Sequence, residues 1–313
     1  MAVTLAQASL NAASDIDRNI IDEFRKSSFL LDRLPFDQSV SPAGGGSTLV
    51  YGYTRQTTQR AAAFRTINAE YTPAEVEKAQ YTTNLRPLGG SFQIDRVLTG
   101  IGAISEVSFQ LSQLIKSTKA YFADQVINGD VAVTANGFDG LSVALAGSST
   151  ENVAADLDFT AVNTQALALT AVQKINNWLG KLDGLPDALL MNGTAKSWFG
   201  LIAAFTGQLK STVDAFGRPQ ETFRDIPLVD LGEKAGASTL VIPTAAGLTD
   251  IYAVRFGIDG FHGVAVPGQL IQQWLPDFTK AGAVKTGEVE MGPVAVVLKA
   301  TKAAGVYRNV KVA

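Results

Sequence analysis

The sequence predicts an α+β chain with two cores and one projecting arm, and three observations carry that reading. The first is an apolar stripe from Ile101 to Asn128. Ile101, Ile104, Ser108, Leu111, Ile115, Thr118, Phe122 and Gln125 recur at steps of three and four, and Val107, Leu114, Tyr121 and Val126 widen the stripe. Glu106, Gln110, Gln113, Lys116, Lys119 and Asp124 hold the other side, so the segment reads as one amphipathic helix. Asn128-Gly129-Asp130 ends it, and the helix would span roughly 40 Å at about 1.5 Å per residue. The second observation is a pair of extended segments separated by a long polar one. The third is a middle portion in which helices and strands alternate, followed by strands alone.

Residues 1–13 are small and weakly patterned, as in an extended lead. Ser14-Asp15-Ile16-Asp17 reads as a helix start, with Ile16, Ile20, Ile21 and Phe24 on one face. This helix is expected to stop before Phe29-Leu30-Leu31-Asp32-Arg33-Leu34-Pro35. Its apolar side suits docking on a neighbour or packing on its own core. Ser41-Pro42-Ala43-Gly44-Gly45-Gly46 is a break. Leu49, Tyr51 and Tyr53 then alternate as in a strand, residues 57–80 are polar, and Tyr81–Leu98 is extended again, interrupted by Pro87 and Gly89-Gly90. A polar excursion this long suits an arm leaving the body. Arg55, Arg60, Arg65 and Arg86 share it with Glu70, Glu75 and Glu77, a mixture suited to pairing with an adjacent copy or to a solvated loop.

Beyond Gly137-Phe138-Asp139-Gly140-Leu141 the expected elements are a helix over 159–182, a buried strand over 187–192 and a helix over 193–204. Strands are expected at 226–229, 239–242, 251–256, 270–274, 288–291, 294–299 and 306–312. The last could join either core.

Composition narrows the functional classes. The 313 residues are 46% hydrophobic and only 18% charged, below the usual quarter. Few charges suit a surface partly covered by other subunits, with an ordinary neutral globule as the alternative. A net charge of -3 gives no electrostatic footprint for nucleic-acid binding. There is no cysteine, so disulfides and thiolate metal sites are excluded. The N-terminus makes a poor signal peptide and no apolar run reaches membrane-spanning length. These features predict a soluble protein made in the cytoplasm, with no membrane partner.

No catalytic constellation is predicted. Thr99-Gly100-Ile101-Gly102-Ala103-Ile104-Ser105 lies where a dinucleotide fingerprint would, but Ser105 replaces the third glycine. The preceding Asp95-Arg96 also suits no buried parallel strand. His262 is the only histidine, so zinc has no ligand set, and no Gly-x-Ser-x-Gly elbow exists. It reads as a loop or packed histidine. Asp156/Asp158 and Glu288/Glu290 are close carboxylate pairs; the latter, on one strand face, could bind a cation or meet basic side chains. No cofactor, metal or catalytic residue is expected.

The order of elements resembles tailed-phage major capsid proteins of the Hong-Kong-ninety-seven type. Local sequence resembles those of actinobacteria-infecting phages. Ile20-Ile21-Asp22-Glu23-Phe24-Arg25-Lys26-Ser27-Ser28, Phe29-Leu30-Leu31-Asp32, Ala63-Phe64-Arg65-Thr66, Glu70-Tyr71-Thr72-Pro73, Leu85-Arg86-Pro87-Leu88-Gly89-Gly90-Ser91-Phe92, Asp95-Arg96-Val97-Leu98 and Gly137-Phe138-Asp139-Gly140-Leu141 carry the resemblance. It implies an N-terminal arm and short helix over 1–42, an E-loop over 43–97 and a P domain with spine helix over 98–140. It further implies an A domain over 141–265 and a return to the P domain with the C-terminal strand over 266–313. The implied function is non-enzymatic: self-assembly in pentamers and hexamers into an icosahedral virion shell around double-stranded DNA, built in the host cytoplasm. Scaffolding, portal and decoration proteins are implied partners. Candidate intersubunit residues are Ile20, Phe24, Arg25, Arg55, Arg60, Arg65, Glu70, Glu75, Glu77 and Arg86. Some members crosslink an E-loop lysine to a neighbour's asparagine; Lys78 is the only lysine over 43–97, neither the asparagine nor the assisting glutamate can be matched, and no crosslink is expected. An encapsulin shell is the alternative within the fold, and a soluble two-domain enzyme the alternative outside it.

Overall fold

The computed structural model describes residues 29–40, 49–73, 75–100, 106–213, 219–268 and 270–313. The expected helix around Ile20 and Phe24 lies outside them. In chain order the elements are α1 (Phe29–Arg33), β1 (Phe36–Asp37), β2 (Val50–Gln56), β3 (Lys78–Asn84), β4 (Arg86–Asp95), α2 (Glu106–Asn128), α3 (Leu141–Ala144) and β5 (Glu151–Asn152). There follow α4 (Gln165–Leu179), β6 (Ala188–Met191), α5 (Gly193–Phe205), β7 (Leu209–Val213), β8 (Pro219–Phe223) and β9 (Ile226–Asp230). The chain finishes with β10 (Leu248–Val254), β11 (Phe261–Ala265), β12 (Ile271–Trp274), β13 (Val284–Leu298) and β14 (Ala304–Lys311).

The strands form a five-stranded sheet, a seven-stranded sheet and a two-stranded ribbon. In the five-stranded sheet β1 runs parallel to β11, and β13 pairs antiparallel with β11, β12 and β4. The seven-stranded sheet has the order β5-β14-β10-β6-β9-β8-β7. The C-terminal strand therefore belongs to the seven-stranded sheet.

Side chains alternate across a strand, and the seven-stranded sheet uses both faces. Leu189, Met191, Ile251, Ala253 and Tyr307 face a core closed by Phe159, Trp178 of α4 and Phe199 of α5. Ala188, Leu190, Tyr252, Val254 and Val306 join a second core with Phe122, Val126 and Ile127 of α2 and with Val264, Val294 and Val296 of the five-stranded sheet. One sheet thus closes the helical core behind it and welds the two sheets together in front.

The long helix is present, 23 residues from Glu106 in its described part, about 35 Å. Its burial departs from the expected stripe. Phe122, Ala123, Val126 and Ile127 are buried, but Leu111, Leu114 and Ile115 are only half-buried and Tyr121 is exposed. Two acids placed on the solvent side, Glu106 and Asp124, are buried. Asp124 accepts a bond from Asn128 Nδ2 at 2.7 Å and pairs with Lys234 Nζ at 3.1 Å, so its charge is compensated as burial requires.

Other boundaries move for local reasons. Phe29–Arg33 is helical, with Leu30 and Leu34 buried one turn apart and Pro35 ending the run. The helix expected over 159–182 starts only at Gln165, where Thr164 Oγ1 caps the Leu167 N–H at 3.4 Å. Residues 239–242 form no strand, only a bridge from Leu240 to Glu233. The two strands expected around Gly292-Pro293 are one, β13. Its ladder with β4 slips by a residue between Met291 and Val294, which places the pair in a bulge. Gly89 and Gly90 interrupt nothing. A Cβ on Gly89 would stand 2.1 Å from the Val289 carbonyl oxygen, and one on Gly90 2.9 Å from Leu114 Cδ1, so these glycines let β13 and α2 close on β4.

Candidate assembly surfaces

The ribbon of β2 and β3, with the segment between them, is the projecting arm. Its strands pair from Val50↔Asn84 to Gln56↔Lys78, and its root is anchored on the end of β13. Tyr51 is buried, and its hydroxyl donates to Asp37 Oδ2 at 2.9 Å. Arg55 donates from Nε to the Lys299 carbonyl at 2.8 Å and from Nη2 to the Leu298 carbonyl at 2.7 Å, with its guanidinium 4.6 Å from the Tyr81 ring centre. Burial alone would raise the Asp37 pKa; bonds from Tyr51 and Ser39, with Lys299 nearby, hold it below the usual carboxylate range. Burial and the Asp37 carboxylate push the Tyr51 hydroxyl well up, so it remains a donor.

Beyond the root the arm has little to hold it. Thr57 N–H donates to the Glu77 carbonyl at 3.0 Å, and Glu77 N–H to Thr58 Oγ1 at 2.9 Å. Farther out, Arg65 reaches the Ala69 carbonyl at 3.1 Å and lies 5.5 Å from the Tyr71 ring centre. Phe64 is 106% exposed, Ile67 90% and Tyr71 64%. Three large apolar side chains are thus exposed on one excursion. Nothing periodic signalled them, because the segment has no regular secondary structure to impose a period.

The proposed contact residues divide accordingly. Arg55 is committed to its own chain. Arg65 is tied within the arm tip. Arg60, Glu70, Glu75 and Glu77 are exposed and, among the described residues, their side chains have no ionic partner. Arg86 lines a cavity of about 450 Å³ with Tyr81, Val131, Phe138, Asp139 and Val296, and its Nε is buried without a hydrogen-bond partner. Ile20, Phe24 and Arg25 lie outside the described residues.

A second surface was not foreseen. The hairpin β7–β8 extends the seven-stranded sheet beside α5. Lys196, Trp198, Leu201, Ala204, Leu209 and Glu221 line a groove of about 470 Å³ there. Leu201 is exposed on it, and Phe205 is exposed at the end of α5.

Several other titratable groups are structural ties. Asp156 accepts from the Tyr307 hydroxyl at 2.6 Å and pairs with Lys174, while Asp158 pairs with Lys311. Arg308 joins Glu151 to Asp250 across β5, β14 and β10. Glu288 and Glu290 share the outer face of β13, opposite Trp274 and Gln272 of β12. His262 is packed in β11 and buried. Among the described residues no group of three or more metal-binding side chains occurs, and no helix is long and apolar enough to cross a membrane.

This architecture is the Hong-Kong-ninety-seven-type capsid fold, and solved shell structures match it end to end. A holo-encapsulin complex from Synechococcus elongatus superposes with a TM-score of 0.65 at 15% identity, over 100% of this chain and 97% of that one. The capsid of a native GTA particle gives 0.63 at 14%, over 97% of both chains. A structure of Mycobacterium phage Bobi gives 0.61 at 13%, over 98% of this chain and 99% of that one. No protein-family model and no curated protein matches the sequence. At these identities the likeness establishes the fold.

Proposed function

We propose that the chain is the major capsid protein of a tailed phage, a non-enzymatic subunit that assembles into a closed icosahedral shell around double-stranded DNA in the host cytoplasm. The observation that carries this reading is the arm over 57–77, which exposes Phe64, Ile67 and Tyr71 with nothing among the described residues to cover them. A second copy supplies the cover, and many weak contacts of this kind sum over a lattice. On this reading residues 1–42 are the N-terminal arm, 43–97 the E-loop, 98–140 the P domain with its spine helix and 141–265 mainly the A domain. The return to the P sheet then begins with β11, and β14 closes the A sheet. Arg60, Glu70, Glu75 and Glu77 pair across subunits, with the Arg86 cavity as one receptor for a carboxylate. Scaffolding, portal and decoration proteins are further partners of such a shell.

The encapsulin likeness favours a second reading, a compartment enclosing protein cargo. Electron microscopy of purified particles, with nuclease-protected DNA and co-purifying protein measured on the same sample, decides between them. Particles with protected DNA support the capsid. Particles with stoichiometric protein cargo and no DNA support the compartment. A compact monomer at every concentration refutes both.

A further inference from the structure

The chain's only histidine lies beneath the root of the arm. His262 has no solvent exposure and, among the described residues, neither Nδ1 nor Nε2 has a well-formed hydrogen bond, the backbone at Gly260 offering only a weak one. A buried imidazole normally bonds through at least one nitrogen. Here the ring instead meets the edge of Tyr51, the residue through which β2 leaves the body, with ring centres 5.9 Å apart and planes at 76°. Four segments converge on this point: β2 with Tyr51, β1 with Asp37, β11 with His262 and the residue after β13, Lys299. The Lys299 ammonium is 5.4 Å from the Tyr51 ring centre and 3.9 Å from Asp37 Oδ2.

The groups facing the ring do not balance in favour of a second proton. Burial opposes it most, and Lys299 opposes it next. Asp37, the backbone at Gly260 and Asp259 favour it, and the net effect holds the imidazole below its usual pKa. Of the other groups on β2, the Tyr51 hydroxyl stays neutral. Arg55 is turned onto the carbonyls of Leu298 and Lys299, beside the Tyr53 and Tyr81 rings.

We propose that His262 is an acid-sensitive latch on the arm: neutral, it packs under Tyr51 and keeps the root seated on the sheet of β1, β11 and β13; protonated, it unseats that root. The proton comes from solvent and reaches the ring when Tyr51 lifts. The hydrated imidazolium then resists reburial beside Lys299. Because the released state binds a proton that the seated state does not, seating is complete above the ordinary histidine value of about 6.5 and weakens as the pH falls below it. Asp37 changes charge only below about pH 4, so the two contributions separate. The inference rests on packing within one subunit and stands whether or not the shell reading holds.

The test is amide hydrogen exchange on the full chain, in the form in which it purifies, over about pH 7.5 to 5, corrected for the intrinsic rate. Amides of α4 serve as the internal reference. The opening equilibrium at Tyr51–Arg55 should rise by up to about tenfold per pH unit below 6.5, the limit for one proton, while α4 stays level. His262→Phe should flatten the profile. Lys299→Met, which removes the repelling cation and leaves the histidine, should shrink the rise and guards against a histidine variant that does not fold. A flat wild-type profile overturns the latch. So does an undiminished rise in His262→Phe.

Discussion

The seven-stranded sheet, mixed through the parallel pairs β5–β14 and β6–β9, and the antiparallel ribbon of the projecting arm are both built from short strands, yet they reach opposite physical states. The sheet buries Leu189 and Met191 on one face and Ala188 and Leu190 on the other, so its central strand β6 is sandwiched between apolar layers. The ribbon of β2 and β3 has one buried anchor, Tyr51, and a handful of hydrogen bonds from Arg55 and Tyr53 to the end of β13. A two-stranded ribbon alone is marginal in water. Beyond its root the arm therefore owes its conformation to whatever covers it. The contrast separates residues that determine whether the subunit folds from residues that determine what it joins.

The largest effects on the isolated subunit should come from the sandwiched unit. Phe199 is fully buried and meets Phe159 and Phe223 edge-on at 6.1 and 5.1 Å. Phe199→Ala should cost about 3–5 kcal/mol by chemical denaturation, the range for deleting a core aromatic ring. Arg308→Met should cost about 2–3 kcal/mol, because it leaves the Glu151 and Asp250 carboxylates without their shared cation. A cost below about 0.5 kcal/mol for either would place the subunit's stability outside this sheet.

Much of this division is legible in the sequence, and the failures have physical causes. The helix ending at Asn128 and the arm announce themselves through period and through lack of period. The β7–β8 hairpin does not, since Leu209-Lys210-Ser211-Thr212-Val213 carries no clear alternation of apolar and polar residues. The unity of β13 is hidden because Gly292-Pro293 reads as a break, whereas a bulge absorbs it. Glu106 and Asp124 look like solvent positions because helical period cannot foresee a partner such as Lys234, distant in sequence. Arg55 stands out in the sequence by charge alone. Its use as an anchor depends on β13 ending beside β2, which no local pattern encodes.

Acid sharpens the comparison. Burial alone would raise Glu151, but bonds from Arg308 and the Gly147 N–H bring it below the usual range. The Tyr307 hydroxyl, against some burial, and then Lys174 lower Asp156; Asp158, raised by burial, is brought down by Thr160 and Lys311. Groups lowered in the folded state contribute stability that is present above their ordinary values and is lost as the pH falls through the lowered ones. The sheet unit should keep its denaturation midpoint down to about pH 5 and lose it toward about pH 3. Asp156→Asn, which keeps a carbonyl acceptor for Tyr307 and removes the charge, should shallow that loss. An unchanged slope would show that these pairs are screened by solvent, as partly exposed pairs often are.

The smallest effect on the subunit should come from the arm tip, and there the contrast is most exposed to refutation. Phe64 and Ile67 are almost fully exposed among the described residues, so truncating them removes no burial that folding created. Phe64→Ser with Ile67→Ser should leave the denaturation midpoint unchanged to within about 0.5 kcal/mol, as for surface sites in general. If a second copy covers these side chains, the same double variant should lose assembly outright, because a defect in one contact is repeated at every position of a closed lattice. Sedimentation of wild type and variant at matched concentration reads the two outcomes apart. Destabilisation of the isolated subunit would mean that the tip folds back on its own body, and particles formed at wild-type concentration would mean that something other than a second copy occupies it.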